Sequence, residues 1–239
     1  MSYAEITFKD RNPVKRWLQL RRLASAIELT AKMEIPSVIC DFGAGNGELC
    51  KRLAKQYPDA TIICYEPTPG LLGEARSNLA SLPHVQFCSD IESVTKGAVD
   101  MVFCLEVFEH LPTEETIEAF QRIRGLLRTH GIAVIGVPVE IGLPALYKGC
   151  FRMARRFGEF DATPRNILLS FLGLPPKDRP TEEIASGFRF HYYHTGFDYR
   201  RLREVLCSHL KLLRVYASPF AMLGSWLNPE VYFIAQKTS

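Results

Sequence analysis

The sequence has no apolar run long enough to span a bilayer, and residues 1–5 lack the apolar core of a secretory signal peptide. It also has no internal repeat and no low-complexity segment. The composition, with 47% hydrophobic and 23% charged residues, is that of an ordinary globular domain with ample core. We therefore expect a cytoplasmic protein rather than a secreted or membrane-spanning one.

Paired cysteines are also missing. The seven cysteines are scattered and form no CxxC pair. Several of them, such as Cys40, Cys64 and Cys104, lie inside apolar runs typical of buried strands. This favours reduced thiols in the core over a disulfide framework or a zinc site. The net charge is only +3, so the composition does not indicate a nucleic-acid partner.

The chain is organised around a glycine-rich turn. Residues 37–40 are mostly apolar, as in a buried parallel strand, and residues 48–54 have helical spacing. Between these two segments stand Asp41, Gly43, Gly45 and Gly47. Glycine is needed where the backbone takes a positive φ or where a ligand approaches the main chain closely. The pattern predicts a strand, a tight turn and a helix whose N-terminus faces a ligand.

Two classes of ligand use such a turn. A dinucleotide requires G-x-G-x-x-G, but the third glycine position is Glu48 here, and a carboxylate would repel a pyrophosphate. S-adenosylmethionine (SAM) carries no phosphate, and its cationic head suits an acid at Asp41. The run D-F-G-A-G-N-G at residues 41–47 resembles the first motif of class I SAM-dependent methyltransferases. A bare turn that binds no ligand is the alternative.

The order of strand and helix patterns predicts the fold. They alternate five times up to residue 138, which indicates an α/β protein with a parallel sheet and a ligand site at the carboxyl ends of the strands. Two further strand patterns follow at residues 210–217 and 230–236. The resemblance implies a Rossmann-like, doubly wound, seven-stranded and mostly parallel sheet whose last strand is antiparallel.

We predict a single methyltransferase domain over residues 1–239. It begins with a helical lead-in at residues 1–35, whose helix opens at Pro13. One face of this helix is apolar and the other is basic, as expected of a helix packed on a sheet. A second hypothesis places Arg11 and Lys15 at the border of a substrate entrance.

The resemblance implies a set of cofactor-binding residues at the strand ends. Glu66 lies about twenty residues past the glycine turn, where doubly wound folds place an acid for the ribose hydroxyls. Asp90 corresponds to the acid that accepts from the adenine amino group, although an aspartate after a strand is also a common helix cap. The predicted cofactor-binding residues are Asp41, Gly43, Gly45, Gly47, Glu66, Pro67, Asp90, Ile91 and Leu105.

A second motif follows the fourth strand pattern. Residues 106–111, E-V-F-E-H-L, closely resemble the E-V-x-E-H-L stretch of a group that includes ubiquinone-type O-methyltransferases and small-RNA 2′-O-methyltransferases. A hydroxyl acceptor must lose its proton during methyl transfer, so a base with a pKa near neutrality is useful. We predict His110, Glu109 and His194 as the catalytic residues.

The same resemblance raises the question of a metal. In some members of the group, two glutamates and a histidine bind a divalent ion that lowers the pKa of the acceptor hydroxyl. Here these residues are Glu106, Glu109 and His110, with His191 or His194 as a fourth ligand. Alternatively, Glu109 and His110 form a hydrogen-bonded pair that only shapes the pocket. A metal is the less favoured of these interpretations.

Residues 138–190 interrupt the alternation and form an insertion between two strands. Residues 143–160 are apolar on one side and basic on the other. Such a helix forms a substrate lid, or it lies on an anionic membrane surface or a lipid-linked substrate. We expect Arg152 and Arg189 to meet an anionic acceptor.

The favoured function is methyl transfer from SAM to a small or lipid-linked acceptor, with a hydroxyl preferred and nucleic acid disfavoured. Localisation is then cytoplasmic, with a peripheral position at the inner membrane face as a second hypothesis. Two alternatives come from other classes. One is an NAD-dependent oxidoreductase, and the other is a catalytically silent SAM-fold subunit that stabilises a partner. The oligomeric state does not follow from the sequence.

Overall fold

A seven-stranded sheet forms the centre of the structure, a computed structural model that describes residues 13–185 and 188–238. The strands are β1 Val38–Phe42, β2 Thr61–Tyr65, β3 Val85–Cys88, β4 Val99–Leu105, β5 Leu127–Pro138, β6 Glu182–Ala185, β7 Phe188–Phe190, β8 Lys211–Ser218 and β9 Glu230–Gln236. Strands β6 and β7 form a separate hairpin.

The strand order in the large sheet is β3-β2-β1-β4-β5-β9-β8. The pairs among the first five strands are parallel, whereas β9 runs antiparallel to both β5 and β8. The predicted Rossmann-like sheet is therefore confirmed, and its last strand lies antiparallel between two strands that precede it in the chain.

Helices cover both faces of this sheet. In the described residues the α-helices are α1 Pro13–Glu28, α2 Glu48–Gln56, α3 Pro69–Asn78, α4 Thr113–Leu126, α5 Leu143–Arg156, α6 Pro164–Phe171, α7 Tyr199–His209 and α8 Gly224–Leu227. None of them is long and apolar enough to cross a membrane.

Two apolar layers hold the helices on the sheet, because alternate residues of a strand face opposite sides. In β4, Val102 and Cys104 join the layer that contains Phe120 of α4. Phe103, between them, joins the opposite layer with Leu53 of α2. These side chains are fully buried. Strands with both faces covered in this way present their polar residues at their carboxyl ends, where the ligand site was predicted.

The cysteines behave as the sequence predicts. All seven lie in the described ranges and are free thiols, and Cys40, Cys64 and Cys104 are buried in strands. Burial raises the pKa of the Cys40 and Cys104 thiols well above the usual value, so both stay protonated and inert.

The lead-in helix α1 packs beside the late strands. Ser25 Oγ lies 2.8 Å from Ser218 Oγ at the end of β8, and Tyr232 of β9 donates to the carbonyl of Arg22 at 2.9 Å. The predicted entrance residue Arg11 lies outside the described residues, as does the side chain of Lys15.

The predicted insertion contains more elements than one amphipathic helix. Helices α5 and α6 pack on each other, and the β6–β7 hairpin then leads back towards the end of β4. The backbone amide of His191, just after β7, donates to the carbonyl of His110 at 2.7 Å. The insertion therefore reaches the predicted catalytic segment. The division into one domain with these internal boundaries stays a prediction.

Candidate active site

The glycine turn has the backbone geometry that the sequence predicts. Gly43, Gly45 and Gly47 all have positive φ, at 81°, 54° and 80°. The amides of Gly43 and Ala44 donate to the carbonyl of Tyr65 at 2.9 and 2.8 Å, which ties the turn to the end of β2. A Cβ atom on Gly43 would lie 2.5 Å from Val107 Cγ2. Gly43 is therefore required both by its φ and by the close approach of the segment after β4.

This contact predicts a difference between two glycines of one turn. Gly43→Ala and Gly45→Ala share the cost of a positive φ, about 1–2 kcal/mol. Only Gly43→Ala adds a clash, because a Cβ at Gly45 meets no atom within 4 Å. We expect Gly43→Ala to unfold more readily than Gly45→Ala by about 1–3 kcal/mol in urea titrations. Adding Val107→Ala should recover most of that difference, and equal stabilities of the two single variants would contradict the model of the turn.

Glu66 lies behind the turn with its carboxylate buried. Its Oε2 accepts from the amide of Gly45 at 2.8 Å, and its Oε1 accepts from the amide of Thr68 at 2.9 Å. An anion that accepts two backbone N–H bonds is held in one orientation. The structure therefore fixes the predicted ribose acid at the edge of the cleft.

Two recesses flank Gly43. The recess next to α1, the α1 recess, is lined by Gln19, Arg22, Asp41, Gly45, Asn46 and Leu105, with Glu106 beside them. The recess next to α4, the α4 recess, is lined by Tyr65, Pro67, Val107, Leu111 and Arg122. The two recesses share Gly43, and we call them together the cleft. Asp41, Gly45 and Leu105 line the α1 recess and Pro67 lines the α4 recess, whereas their role in cofactor binding stays a prediction. Gly47 faces Leu79 of the neighbouring chain segment instead.

Asp90 and Ile91 follow β3, at the same edge of the sheet. The Asp90 carboxylate accepts from the amide of Glu92 at 3.0 Å and caps a short 3₁₀ helix, Ile91–Ser93. The Asp90 side chain is exposed, whereas Ile91 is buried. Asp90 therefore caps the 3₁₀ helix, which is the alternative role stated above. This role uses one carboxylate oxygen and leaves the second available for a ligand.

Asp41 is a strongly perturbed acid of the cleft. It is almost fully buried, and Cys50 Sγ donates to its Oδ2 at 3.2 Å. Burial raises the pKa of Asp41 to about 7, and the Glu66 carboxylate adds to this rise while the thiol opposes it. A cationic ligand that lies against this carboxyl group would stabilise its ionised form.

Glu106 occupies an unusual position after β4. It is a non-glycine residue with φ of 57°, and its Oε2 pairs with Arg22 at 2.7 Å. Arg22 also pairs with Glu230 of β9. Burial raises the pKa of Glu106. The Arg22 guanidinium lowers this pKa only in part, because it is shared between the carboxylates of Glu106 and Glu230. The structure thus directs Glu106 towards α1, away from the other predicted metal ligands.

His110 and His194 meet although 84 residues separate them in the sequence. Their Nε2 atoms are 3.2 Å apart. His110 Nδ1 lies 2.7 Å from the carbonyl oxygen of His191, so Nδ1 carries the proton and donates. The Nε2 atom of a neutral His110 is then an acceptor, aimed at His194. Phe190 stacks on the His110 ring at 4.3 Å and 7° and holds it in place.

Both histidines are neutral near pH 7. Burial lowers the pKa of His110 to about 4, and the Arg179 charge lowers it further while the bond to the His191 carbonyl opposes this. Burial and the neighbouring His110 lower the pKa of His194 well below its usual value. The pair is therefore neutral over the whole physiological range. A pKa of about 4 makes His110 a weaker base than the near-neutral one that the sequence predicts, because burial disfavours its charged form.

Glu109 completes the cluster. Its side chain is fully buried, and neither carboxylate oxygen has a hydrogen-bond partner among the described residues. Its Oε1 lies 3.9 Å from His110 Nε2. Burial raises the pKa of Glu109 to about 8. The ligand atoms of Glu109, His110 and His194 all lie within 4.8 Å of one another, so this set could hold a metal ion; Glu106 does not belong to it.

Arg179 is a site residue that the sequence did not reveal. Its guanidinium donates to the carbonyls of Glu109 and Tyr193, both at 2.6 Å. It thereby joins the segment of His110 to the segment of His194. A Cβ atom on Gly196 would lie 2.5 Å from Arg179 Cγ, so a glycine is needed at that position. No sequence pattern marks an arginine that binds only backbone carbonyls.

The two arginines expected to meet an anionic acceptor already have partners. Arg152 bonds both oxygens of Glu140 at 2.9 Å and donates to Thr195 Oγ1 at 2.9 Å. Arg189 pairs with Glu114 and Glu115 at the start of α4. Both side chains therefore act in holding the insertion against the rest of the fold. The His191 ring is likewise directed to the carbonyl of Pro180, at 3.0 Å, and does not join the cluster.

Comparison with known protein families agrees with this geometry. Residues 39–131 match the family described as "Methyltransferase domain". Among curated proteins, the chain is 31% identical over 127 residues to trans-aconitate 2-methyltransferase of Methylobacterium radiotolerans, covering 52% of this chain and 47% of the relative. It is 32% identical over 136 residues to malonyl-[acyl-carrier protein] O-methyltransferase of Geobacter sulfurreducens, covering 54% and 50%. The match spans about half the length of these relatives.

Solved structures share the fold at low sequence identity. N-methyltransferase NodS of Bradyrhizobium japonicum, in complex with S-adenosylhomocysteine (SAH), is 14% identical with a TM-score of 0.59, covering 96% of this chain and 90% of that one. The 1,6-didemethyltoxoflavin-N1-methyltransferase of Burkholderia thailandensis, also with SAH, is 16% identical with a TM-score of 0.58, covering 98% and 85%. Residues 39–131 therefore match a methyltransferase domain, and the chain shares its fold with SAM-dependent methyltransferases.

Proposed function

We propose that this chain, a SAM-dependent methyltransferase, transfers the methyl group to a hydroxyl oxygen of a small or lipid-linked acceptor. The observation that carries the hydroxyl assignment is the neutral His110–His194 pair with its Nε2 atoms 3.2 Å apart. A carboxylate, or an amine that is already neutral, is nucleophilic without a base, whereas a hydroxyl must release a proton. The O-methyltransferase name of one relative is consistent with an oxygen acceptor.

The donor set of the cleft fits SAM. Asp41 is a buried acid for a cationic head group, Glu66 is an oriented acceptor for hydroxyl donors, and Gly45 leaves open space where a side chain would lie. We assign the adenine end to Asp90 and Ile91 on the basis of their strand-end position. When bound, SAM supplies an activated methyl group and its own leaving group, so the protein mainly aligns the acceptor.

The proton of the acceptor passes to the histidine pair in this proposal. His110 Nδ1 stays protonated because it donates to the His191 carbonyl, which leaves Nε2 to accept. In the structure that Nε2 accepts from Nε2–H of His194, so the acceptor hydroxyl takes the place of His194 at this nitrogen when its proton is transferred. Glu109 lies 3.9 Å from His110, but its pKa of about 8 keeps it mostly protonated near pH 7, so the proton transfer does not rely on a negative charge at Glu109. Arg179 positions both segments.

The same three side chains also fit a divalent metal ion. Glu109 offers two unpartnered oxygens, and a histidine that donates Nδ1–H to a backbone carbonyl is oriented as metal-bound histidines are. A metal held by Glu109, His110 and His194 would lower the pKa of the acceptor hydroxyl. Activity with and without EDTA separates this variant of the proposal from the metal-free one.

The first test is calorimetric titration with SAH, followed by a screen of hydroxyl, carboxylate and amine acceptors. We expect micromolar SAH binding and methyl transfer to a hydroxyl compound. The comparisons give no support to an NAD-dependent oxidoreductase or to a silent subunit. Binding of NAD without SAH, or SAH binding without turnover over the whole acceptor panel, would favour one of these over the proposal.

The pKa of Asp41 gives a pH prediction for cofactor binding. Only the ionised carboxylate attracts the cationic amino group of SAH, and Asp41 ionises as the pH rises through about 7. We therefore expect SAH affinity to rise about tenfold between about pH 6 and about pH 8. Calorimetry on Asp41→Asn should show weaker binding with a flat profile. An equally steep profile in that variant would mean that another group titrates.

A further inference from the structure

The loop between β8 and β9, residues 219–227, presents large apolar side chains to solvent. Met222 is fully exposed at 100%, Trp226 is 72% exposed and Phe220 is 60% exposed. Single exposed apolar residues are normal on a protein surface, but a contiguous group marks an interaction site.

The exposure is built into the fold of the loop. Asn228 is fully buried and its side chain makes three hydrogen bonds of 2.7 Å, from the amide of Phe220 and to the carbonyls of Phe220 and Gly224. Tyr199 Oη lies 2.8 Å from Ser225 Oγ and fixes the loop to α7. The apolar side chains therefore project from an ordered support.

Neighbouring elements extend this surface. Tyr147 of α5 donates to the carbonyl of Leu227 at 3.3 Å, and both Tyr147 and Phe151 are exposed. Ser25, near the end of helix α1, contacts Ser218 at the carboxyl edge of the sheet. The first turns of α1, with the exposed Trp17, therefore lie beyond that edge. We name these exposed side chains, Trp17, Tyr147, Phe151, Phe220, Met222 and Trp226, the apolar rim.

The helices of the rim are mainly basic. Helix α5 contains Lys148 and three arginines but no aspartate or glutamate, whereas α1 ends in Glu28, which pairs with Arg21. Arg16 and Arg155 are exposed, and the Arg155 guanidinium lies 5.4 Å from the centre of the Phe151 ring. Lys148, Arg152 and Arg156 pair with acids, but Arg16 and Arg155 have no acidic partner in the part of the chain that the structure describes. Aromatic and apolar residues flanked by such arginines match a bilayer whose surface carries anionic head groups.

We propose that the apolar rim docks on an anionic lipid bilayer. The glycine turn and the histidine pair lie at this same carboxyl edge of the sheet, so docking would bring the cleft to the membrane surface. A second copy of this chain fits the rim less well, because a symmetric contact would place the basic helix α5 against itself, and α5 contains no acid. The inference goes beyond the proposed function and does not depend on the acceptor.

The test is sedimentation of the whole chain with vesicles of phosphatidylcholine alone and of phosphatidylcholine with phosphatidylglycerol. We expect partition to increase with phosphatidylglycerol and to decrease with added salt. The double variant Met222→Ser/Trp226→Ser should lower the partition coefficient about tenfold or more. The matched control is Ile35→Ser, because Ile35 is 82% exposed but precedes β1 at the opposite edge of the sheet.

SAH titration of the double variant confirms that it is folded, because the substituted side chains lie outside the cleft. Absence of wild-type partition into the anionic vesicles, or equal partition of wild type and double variant, would overturn the proposal. So would light scattering that shows a dimer dissociated by the double substitution, since the rim would then be an interface between copies. Vesicle binding without SAH binding would instead overturn the proposed function alone.

Discussion

We expect replacement of His110 by alanine to lower kcat by about a hundredfold or more and to leave the affinity for SAH unchanged. The reason is that His110 Nε2 is the acceptor for the proton of the substrate hydroxyl, while the cofactor cleft is formed by other residues. His194→Ala should have the same direction of effect, because its Nε2 lies 3.2 Å from that of His110. The measurement is steady-state methyl transfer combined with SAH calorimetry.

His191→Ala is the matched control for this experiment. His191 contributes its backbone carbonyl to His110, and an alanine keeps that carbonyl. Its ring instead contacts the carbonyl of Pro180, outside the histidine pair. We expect kcat within about threefold of wild type for this variant. A wild-type rate in His110→Ala would exclude a hydroxyl acceptor and point to a carboxylate or amine, with the methyltransferase assignment intact.

The second large effect concerns cofactor affinity. We expect Glu66→Ala to weaken SAH binding about a hundredfold or more, because two charge-assisted hydrogen bonds of about 1.5–3 kcal/mol each are lost. Calorimetry measures the change directly. Glu66→Gln should retain part of the affinity, since an amide oxygen still accepts one hydrogen bond.

A structural effect of Glu66→Ala must be separated from loss of the ribose contact, because Glu66 also accepts from the amide of Gly45. Thermal unfolding of each variant without ligand makes this separation. Glu34→Ala serves as a control, since Glu34 is an exposed acid at the amino edge of the sheet. Wild-type affinity in Glu66→Ala would remove the assigned ribose role.

Local features of the sequence were sufficient to place the predicted cofactor residues at one edge of the sheet. The glycine turn and Glu66 stand directly after apolar strands, Asp41 is the next-to-last residue of β1, and parallel strands end at one edge of the sheet. A strand pattern and its last residue therefore predict where these side chains meet. The sheet with its reversed last strand followed from the family resemblance and not from periodicity alone.

The catalytic side depends on contacts that leave no pattern in the sequence. His194 was a candidate, but its meeting with His110 required the β6–β7 hairpin and Arg179, which bonds only backbone carbonyls. The sequence did not reveal an acidic partner for Arg152, because that partner, Glu140, is twelve positions away and outside the basic helix. Charge patterns show which side chains are cationic, but the acids that neutralise them are determined by tertiary packing.

The reversed strand β9 has a consequence for synthesis. Since β9 lies between β5 and β8 yet follows both in the chain, β8 has no neighbour in the sheet until β9 has left the ribosome. Glu230, the first residue of β9, is also the second partner of Arg22. A nascent chain that ends before β9 therefore leaves an unpaired edge on β5 and an incompletely paired arginine in the cofactor cleft. Cofactor binding can become fully favourable only after that late strand has joined the sheet.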